Sequence, residues 1–338
     1  MKVLLLVATV FILGCADTRA QTPASSPYAN PNIPTNAPEI SEGDVLKVDT
    51  RLVHVPFLVM DRKHGPVTKL GQEHFRVFED RVEQTIANFE SIEQPLTAAL
   101  LLDMSPSTRF RVEDIKEAAL AFVNQLRAND RLMVMSFSDH VQVLIELTVD
   151  REAARRAIKS ATQGSATRLF DAIEYANEKL KAIQGRKALV LFTDGIDNGS
   201  QFGTAQNTLY TAEESDLLVY PVQYDTFADV TDYVRMEIST GMKKTTERVY
   251  PPGLGPKDYE RAISYLKDLA DRSGGRFYHA DHLQGVKRAF SSIAAELRSQ
   301  YMLAYYPHAD AAEKSRREID VRVDQPGLVV RARRSYVR

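Results

Sequence analysis

Several runs in this chain are apolar at nearly every position, and others alternate apolar with polar. Residues 97–103, 131–137, 187–193 and 217–223 are near-continuous Ala, Leu, Val, Met and Phe. Such runs predict strands covered on both faces, as in a mostly parallel sheet. Val141-Gln142-Val143-Leu144-Ile145-Glu146-Leu147 alternates instead and predicts an edge strand of the same sheet. Between the runs, apolar residues recur at helical spacing. Ile115, Ala118, Ala119, Phe122, Val123 and Leu126 form one stripe, and a further helix is expected at about 283–298. Strands alternating with helices predict a doubly wound α/β sheet with helices on both faces.

The ends of the chain read differently. In 44–94, Val53, Val55, Phe57 and Val59 repeat with period two, Lys63-His64-Gly65-Pro66 reads as a turn, and Phe75–Glu79 starts another strand. In 300–338, three short strand-like runs follow: Gln300–Pro307, Glu318–Val323 and Leu328–Tyr336. Two or three strands alone are marginal, so the two end segments are expected to pair into a small β-sandwich. The 331–334 arginine cluster is expected on a solvated strand face, able to grip acidic headgroups.

The leader comes first. Met1-Lys2 precedes eleven apolar or small residues, Val3–Leu13, a run too short to span a membrane and suited to a signal peptide. Two processing routes stay open within residues 1–20. Ile12-Leu13-Gly14-Cys15 resembles a lipobox, with Cys15 lipidated and anchoring the protein to a membrane; alternatively, cleavage follows Ala20. Either route predicts an exported, periplasmic, membrane-anchored or secreted protein. Residues 21–43, with Pro at 23, 27, 31, 34 and 38, predict a disordered linker.

Composition narrows the chemistry. The 338 residues carry net charge −2 and no Trp, so no basic stripe invites nucleic acid. Cys15 is the only thiol, which removes disulfides, thiolate zinc sites and cysteine nucleophiles from the body. His279-Ala280-Asp281-His282 lacks a third well-spaced ligand and reads as a solvated loop.

The remaining chemistry lies where apolar runs end. Asp103-Met104-Ser105-Pro106-Ser107 follows the first run, Thr167 sits in Gly164-Ser165-Ala166-Thr167 before a helix starting at Leu169, and Thr193-Asp194-Gly195-Ile196-Asp197 ends a third. Carboxyl ends of strands are where such sheets bind ligands. Hard oxygens without thiolate or imidazole suit Mg²⁺, or Mn²⁺ or Ca²⁺. Each piece also has a plain reading, since Ser, Thr and Asp cap helices and Asp-Gly turns chains.

Together, DxSxS, the isolated Thr and TDGxD resemble the metal-ion-dependent adhesion site of von Willebrand factor type A domains. The resemblance implies that Ser105 and Ser107 bind the metal through their hydroxyls, Thr167 directly or through water, and Asp103 and Asp194 mainly through water. It also implies a coordination position open to a partner's Asp or Glu. The domain is placed at 95–299, with an insertion at about 225–257 that is expected to help select the partner. The flanks, with Asp61, Gly65-Pro66-Val67, His74–Asp80 and Gln84-Thr85-Ile86, resemble an exported bacterial subfamily described from Acidobacteria. A cation-dependent binding module, not an enzyme, is the leading expectation. A structural or assembly subunit with a non-functional site is the alternative; a metallohydrolase is another, weakened by motif segments that hold no His or Glu although Asp171 and Asp197 lie near.

Overall fold

A computed structural model describes residues 52–63, 65–90, 95–229, 253–307 and 316–337. The leader, the linker and most of the 225–257 insertion lie outside the described residues.

Six strands form the central sheet: β5 (Thr97–Asp103), β6 (Arg131–Phe137), β7 (Val141–Thr148), β8 (Lys187–Thr193), β9 (Leu218–Tyr224) and β10 (Tyr278–Ala280). Their order is β10-β9-β8-β5-β6-β7, parallel except for β7, which closes the edge antiparallel as its alternation predicts. Every residue of β5 is buried. Its even positions, Ala98, Leu100 and Leu102, join one core with α1 (Val112–Val123), α2 (Arg151–Ser160) and α6 (Leu283–Arg298). Ala99 and Leu101 join the other, with α3 (Leu169–Lys181), α4 (Ala205–Glu214) and α5 (Pro256–Ser273). The continuous apolar runs arise because successive side chains point to opposite faces and both faces carry helices.

The chain ends combine as their patterns predict. β1 (Val53–Met60) lies between β11 (Tyr301–Tyr305) and β13 (Val329–Ala332), and β4 (Ile86–Glu90) flanks β11. A second sheet runs β14-β12-β2-β3, from Ser335–Val337, Arg316–Val323, Phe75–Glu79 and Val82–Gln84. Val55, Phe57, Phe75, Tyr301, Tyr305, Val321 and Tyr336 fill one core between the two sheets. The last predicted strand is in fact two. The chain leaves the first sheet after Ala332 and joins the second at Ser335.

Arg333 sits at that corner and overturns the solvated reading for its own side chain, while Arg334 is exposed as expected. Arg333 is 3% exposed and donates to the carbonyls of Glu213, Ser215 and His54 at 3.1, 2.7 and 2.7 Å. Arg331 likewise pairs with Glu296 of α6. Each alternating arginine thus faces a carbonyl or carboxylate of the α/β domain, which strand periodicity alone does not reveal. Replacing Arg333 with Ala removes the donor to these three carbonyls and should lower stability by about 3 kcal/mol in urea unfolding.

Between β2 and β3, Asp80 and Arg81 take φ of 47° and 70° in a two-residue hairpin turn. This turn favours residues tolerant of positive φ. Asp80 is held by the Glu318 amide at 2.9 Å and by Arg317 at 2.6 Å. Arg81→Gly should relieve the left-handed strain and raise the unfolding free energy by about 0.5–1 kcal/mol, read from the urea midpoint.

Candidate metal centre

Adjacent parallel strands in register deliver their last residues to one edge of the sheet. Leu102 of β5 pairs with Phe192 of β8, so Asp103 lies level with Thr193 and Asp194 follows one residue beyond, at the same end of the sheet. Both are 0% exposed. Asp103 accepts from the Ser105 amide at 2.9 Å and the Thr193 hydroxyl at 2.6 Å. Asp194 accepts from the Ile196 amide at 3.1 Å, from the Thr226 hydroxyl at 2.8 Å and from the Ser107 hydroxyl. Ser105 Oγ and Ser107 Oγ lie 3.1 Å apart.

The strand-to-helix turn explains how both serines reach this point. Pro106 opens a 3₁₀ turn, Pro106–Arg111, that intervenes before α1, and Thr108 donates back to the carbonyls of Ser105 and Asp103 at 2.8 and 3.2 Å. Proline is suited to the turn's first position because the missing amide needs no partner there.

Thr167 is 2% exposed, on a loop stitched to the other two segments. The Gly164 amide donates to Met104 O at 3.0 Å. The Thr167 amide donates to Asn198 Oδ1 at 2.8 Å, and its carbonyl accepts from Asn198 and Gly199 at 3.1 and 2.9 Å. Hydrogen bonds thus join Asp103, Ser105, Ser107 and Asp194 directly, while Thr167 is tied to their segments through its backbone. Thr167 does not cap α3, since the Leu169 amide donates to Asp197 Oδ1 at 2.8 Å.

Sequence reasoning missed three participants. Thr193 and Thr226 each donate to one of the carboxylates, and Tyr259 of α5 lies 3.0 Å from the Thr226 hydroxyl. Thr226 and Tyr259 come from the two flanks of the insertion, so its described ends meet at Asp194. The threonine before Asp194 was visible inside the motif; nothing local singles out the other two. Arg111 forms a two-pronged pair with Asp229 at 2.8 and 3.0 Å, fixing the first flank to the turn before α1. His279 contacts Gln223 at 2.7 Å and Asp281 at 2.6 Å on the outer strand β10, and no group of three or more His, Cys, Asp or Glu among the described residues is placed to hold a metal.

The electrostatics are those of a like-charged buried pair. Burial, then the Asp194 charge, push the Asp103 carboxyl up to about 7 against the hydrogen bonds that favour its ionised form. Burial likewise raises Asp194. Among the described residues, hydrogen bonds and not ion pairs offset the two charges. Two carboxylates among hydroxyl oxygens are a donor set of hard oxygens with uncompensated negative charge, which fits a small divalent cation.

Residues 98–196 match the family model of the von Willebrand factor type A domain. The central sheet, with helices on both faces, has that fold, extended here by the antiparallel sheets from the chain ends. Solved structures similar to this chain include a von Willebrand factor type A protein from Catenulispora acidiphila, at 10% identity, covering 86% of this chain and 74% of that one, with TM-score 0.47. Others are an aerotolerance-related membrane protein from Bacteroides fragilis, at 16% identity, covering 60% and 98%, with TM-score 0.42, and the von Willebrand domain of a type V pilus tip protein from Porphyromonas gingivalis, at 12%, covering 59% and 94%, with TM-score 0.42. No curated protein matches the chain.

A raised carboxyl gives a definite sign to pH dependence. Between about pH 4 and 7 the folded state keeps the Asp103 proton that the unfolded chain has released, so metal-free stability is highest at the acid end and falls as pH rises. The slope contributed should approach 1.4 kcal/mol per pH unit. Chemical unfolding in EDTA across that range checks it, and Asp194→Asn should flatten the slope.

Proposed function

We propose that this protein is a divalent-cation-dependent protein-binding module of the bacterial cell envelope. The observation that carries this reading is the pair of fully buried carboxylates, Asp103 and Asp194, set among the hydroxyls of Ser105, Ser107, Thr193 and Thr226, with no ion pair to balance them among the described residues. Asp103, Ser105, Ser107, Thr167 and Asp194 would hold Mg²⁺, or Mn²⁺ or Ca²⁺ in its place. A bound cation would supply the missing positive charge and attract an Asp or Glu carboxylate of a protein partner. Hydroxyl ligands are uncharged, so much of the cation's field stays available for that carboxylate.

The site is proposed to bind rather than catalyse. Metal-assisted hydrolysis needs a positioned acid or base. The nearby carboxylates, Asp171 and Asp197, are occupied with backbone amides. Export rests on the leader, through lipidation at Cys15 or cleavage after Ala20, and the exported subfamily described from Acidobacteria remains the proposed kinship of the flanks.

Saturating Mg²⁺, at about 100 times its Kd, should stabilise the wild type by about 2.7 kcal/mol and raise its melting temperature by about 5–10 °C. Asp194→Ala should lose that shift. Capture from envelope extract should retain a partner with wild type and Mg²⁺, and lose it with EDTA or Asp103→Ala. Retention that ignores EDTA would favour the assembly-subunit reading, and ester or peptide turnover the hydrolase.

A further inference from the structure

Of the five candidate ligands, Thr167 alone sits at neither a strand end nor the turn that directly follows one. Something else must fix it. Both of its backbone polar groups bond to the Asn198–Gly199 segment, at 2.8, 3.1 and 2.9 Å. That segment belongs to the 197–203 loop, which is itself fastened to the first turn of α3. Asp197 Oδ1 accepts from the Leu169 and Phe170 amides at 2.8 and 3.3 Å. The Ser200 hydroxyl accepts from Phe170 and Asp171 at 3.1 and 3.2 Å and donates to Asp197 at 2.5 Å. Asp171 in turn accepts from three consecutive amides, Gln201, Phe202 and Gly203, at 2.9, 2.9 and 2.7 Å.

Two carboxylates at the amino end of α3 are also favoured by the helix dipole. Burial works against the Asp171 charge, but the amides of Gly203, Gln201 and Phe202 outweigh it and hold the carboxyl below its usual range. Contact is close: a Cβ on Gly203 would lie 2.6 Å from the Phe170 carbonyl carbon. At the tip, Phe202 stands 84% exposed while its amide is pinned, so the loop's order comes from these bonds rather than from apolar packing at Phe202.

We infer that Asp171, Asp197 and Asn198 form a clasp that positions Thr167 for the cation, so that they set cation affinity without touching it. This rests on the cation-site reading and assigns to Asp171 and Asp197 a task other than acid–base chemistry. Groups that orient metal ligands from behind change affinity by about 10–100-fold when removed.

Calorimetric titration of the full chain with MgCl₂ alone tests the clasp. Asp171→Asn and Asn198→Ala should each weaken binding by about 10–100-fold relative to wild type. Asn198→Ala leaves every donor to Asp171 in place, which keeps the test open if Asp171→Asn fails to fold. Thr204→Ala removes the α4 cap, an acceptor for the Asn207 amide beside the loop, and should lower the melting temperature with affinity unchanged. The chain has no Trp, so Phe202→Trp gives a single tryptophan, excitable to the red of the tyrosines, whose anisotropy should rise on Mg²⁺ addition and stay flat when combined with Asn198→Ala. Clasp variants that bind Mg²⁺ as tightly as a binding-competent wild type would overturn the clasp alone. A wild type that takes up no Mg²⁺, Mn²⁺ or Ca²⁺ would overturn the cation site and the clasp together.

Discussion

Two carboxylates buried side by side at the ends of neighbouring strands are the constraint around which the α/β domain is arranged. Taking one charge out of water is costly, and a second of the same sign beside it adds repulsion that a medium of low polarity screens poorly. Here the pair is met by hydroxyls and amides from several separate segments: the turn after β5, the end of β8 and the start of the insertion. Thr193, Ser107 and Thr226 each place a donor on a carboxylate oxygen, and Tyr259 lies against Thr226. Dipoles can orient a charge without neutralising it. That residual imbalance is what makes the centre suited to a cation, and it recruits both described flanks of the insertion to the same point.

The β-sandwich is joined to this domain by charge as well as by chain. Helix α6 runs into β11, which lies between β1 and β4 in the first sheet, so the last helix and the sandwich core are covalently consecutive. Glu296 on that helix meets Arg276 and Arg331, and Glu213 on α4 meets Arg272, Arg316 and the Ser335 hydroxyl. Both acids are largely buried and each gathers two arginines, one of them from the C-terminal strands. Arg333 adds three carbonyl contacts between them. Arg316, Arg331 and Arg333, which look like surface charge in one dimension, are the polar seam between the two layers of structure.

Much of the architecture was legible because it rests on local periodicity. Near-continuous apolar runs marked β5, β6, β8 and β9, alternation marked β7 as the edge, and helical patterns marked α1 and α6, since strand and helix geometry translate directly into spacing. Val53, Val55 and Phe57 announced β1 in the same way. The split between β13 and β14 was not legible, because the corner at Arg333–Arg334 interrupts no apolar pattern. Nor was the role of Thr226, which is one threonine after a strand until the fold sets it 2.8 Å from a carboxylate 32 residues earlier.

The sequence by itself determined which oxygen-bearing side chains stand at strand ends, because a strand's length and a tight turn fix where Asp103, Ser105, Ser107 and Asp194 fall. Only the tertiary structure decided that Asp103 and Asp194 share one desolvated space, that Asp171 and Asp197 bind amides instead of solvent, and that Arg333 is buried. Those outcomes depend on the distance between groups far apart in the chain and on the water excluded between them. Neither quantity exists until the sheet has closed and the helices have covered it.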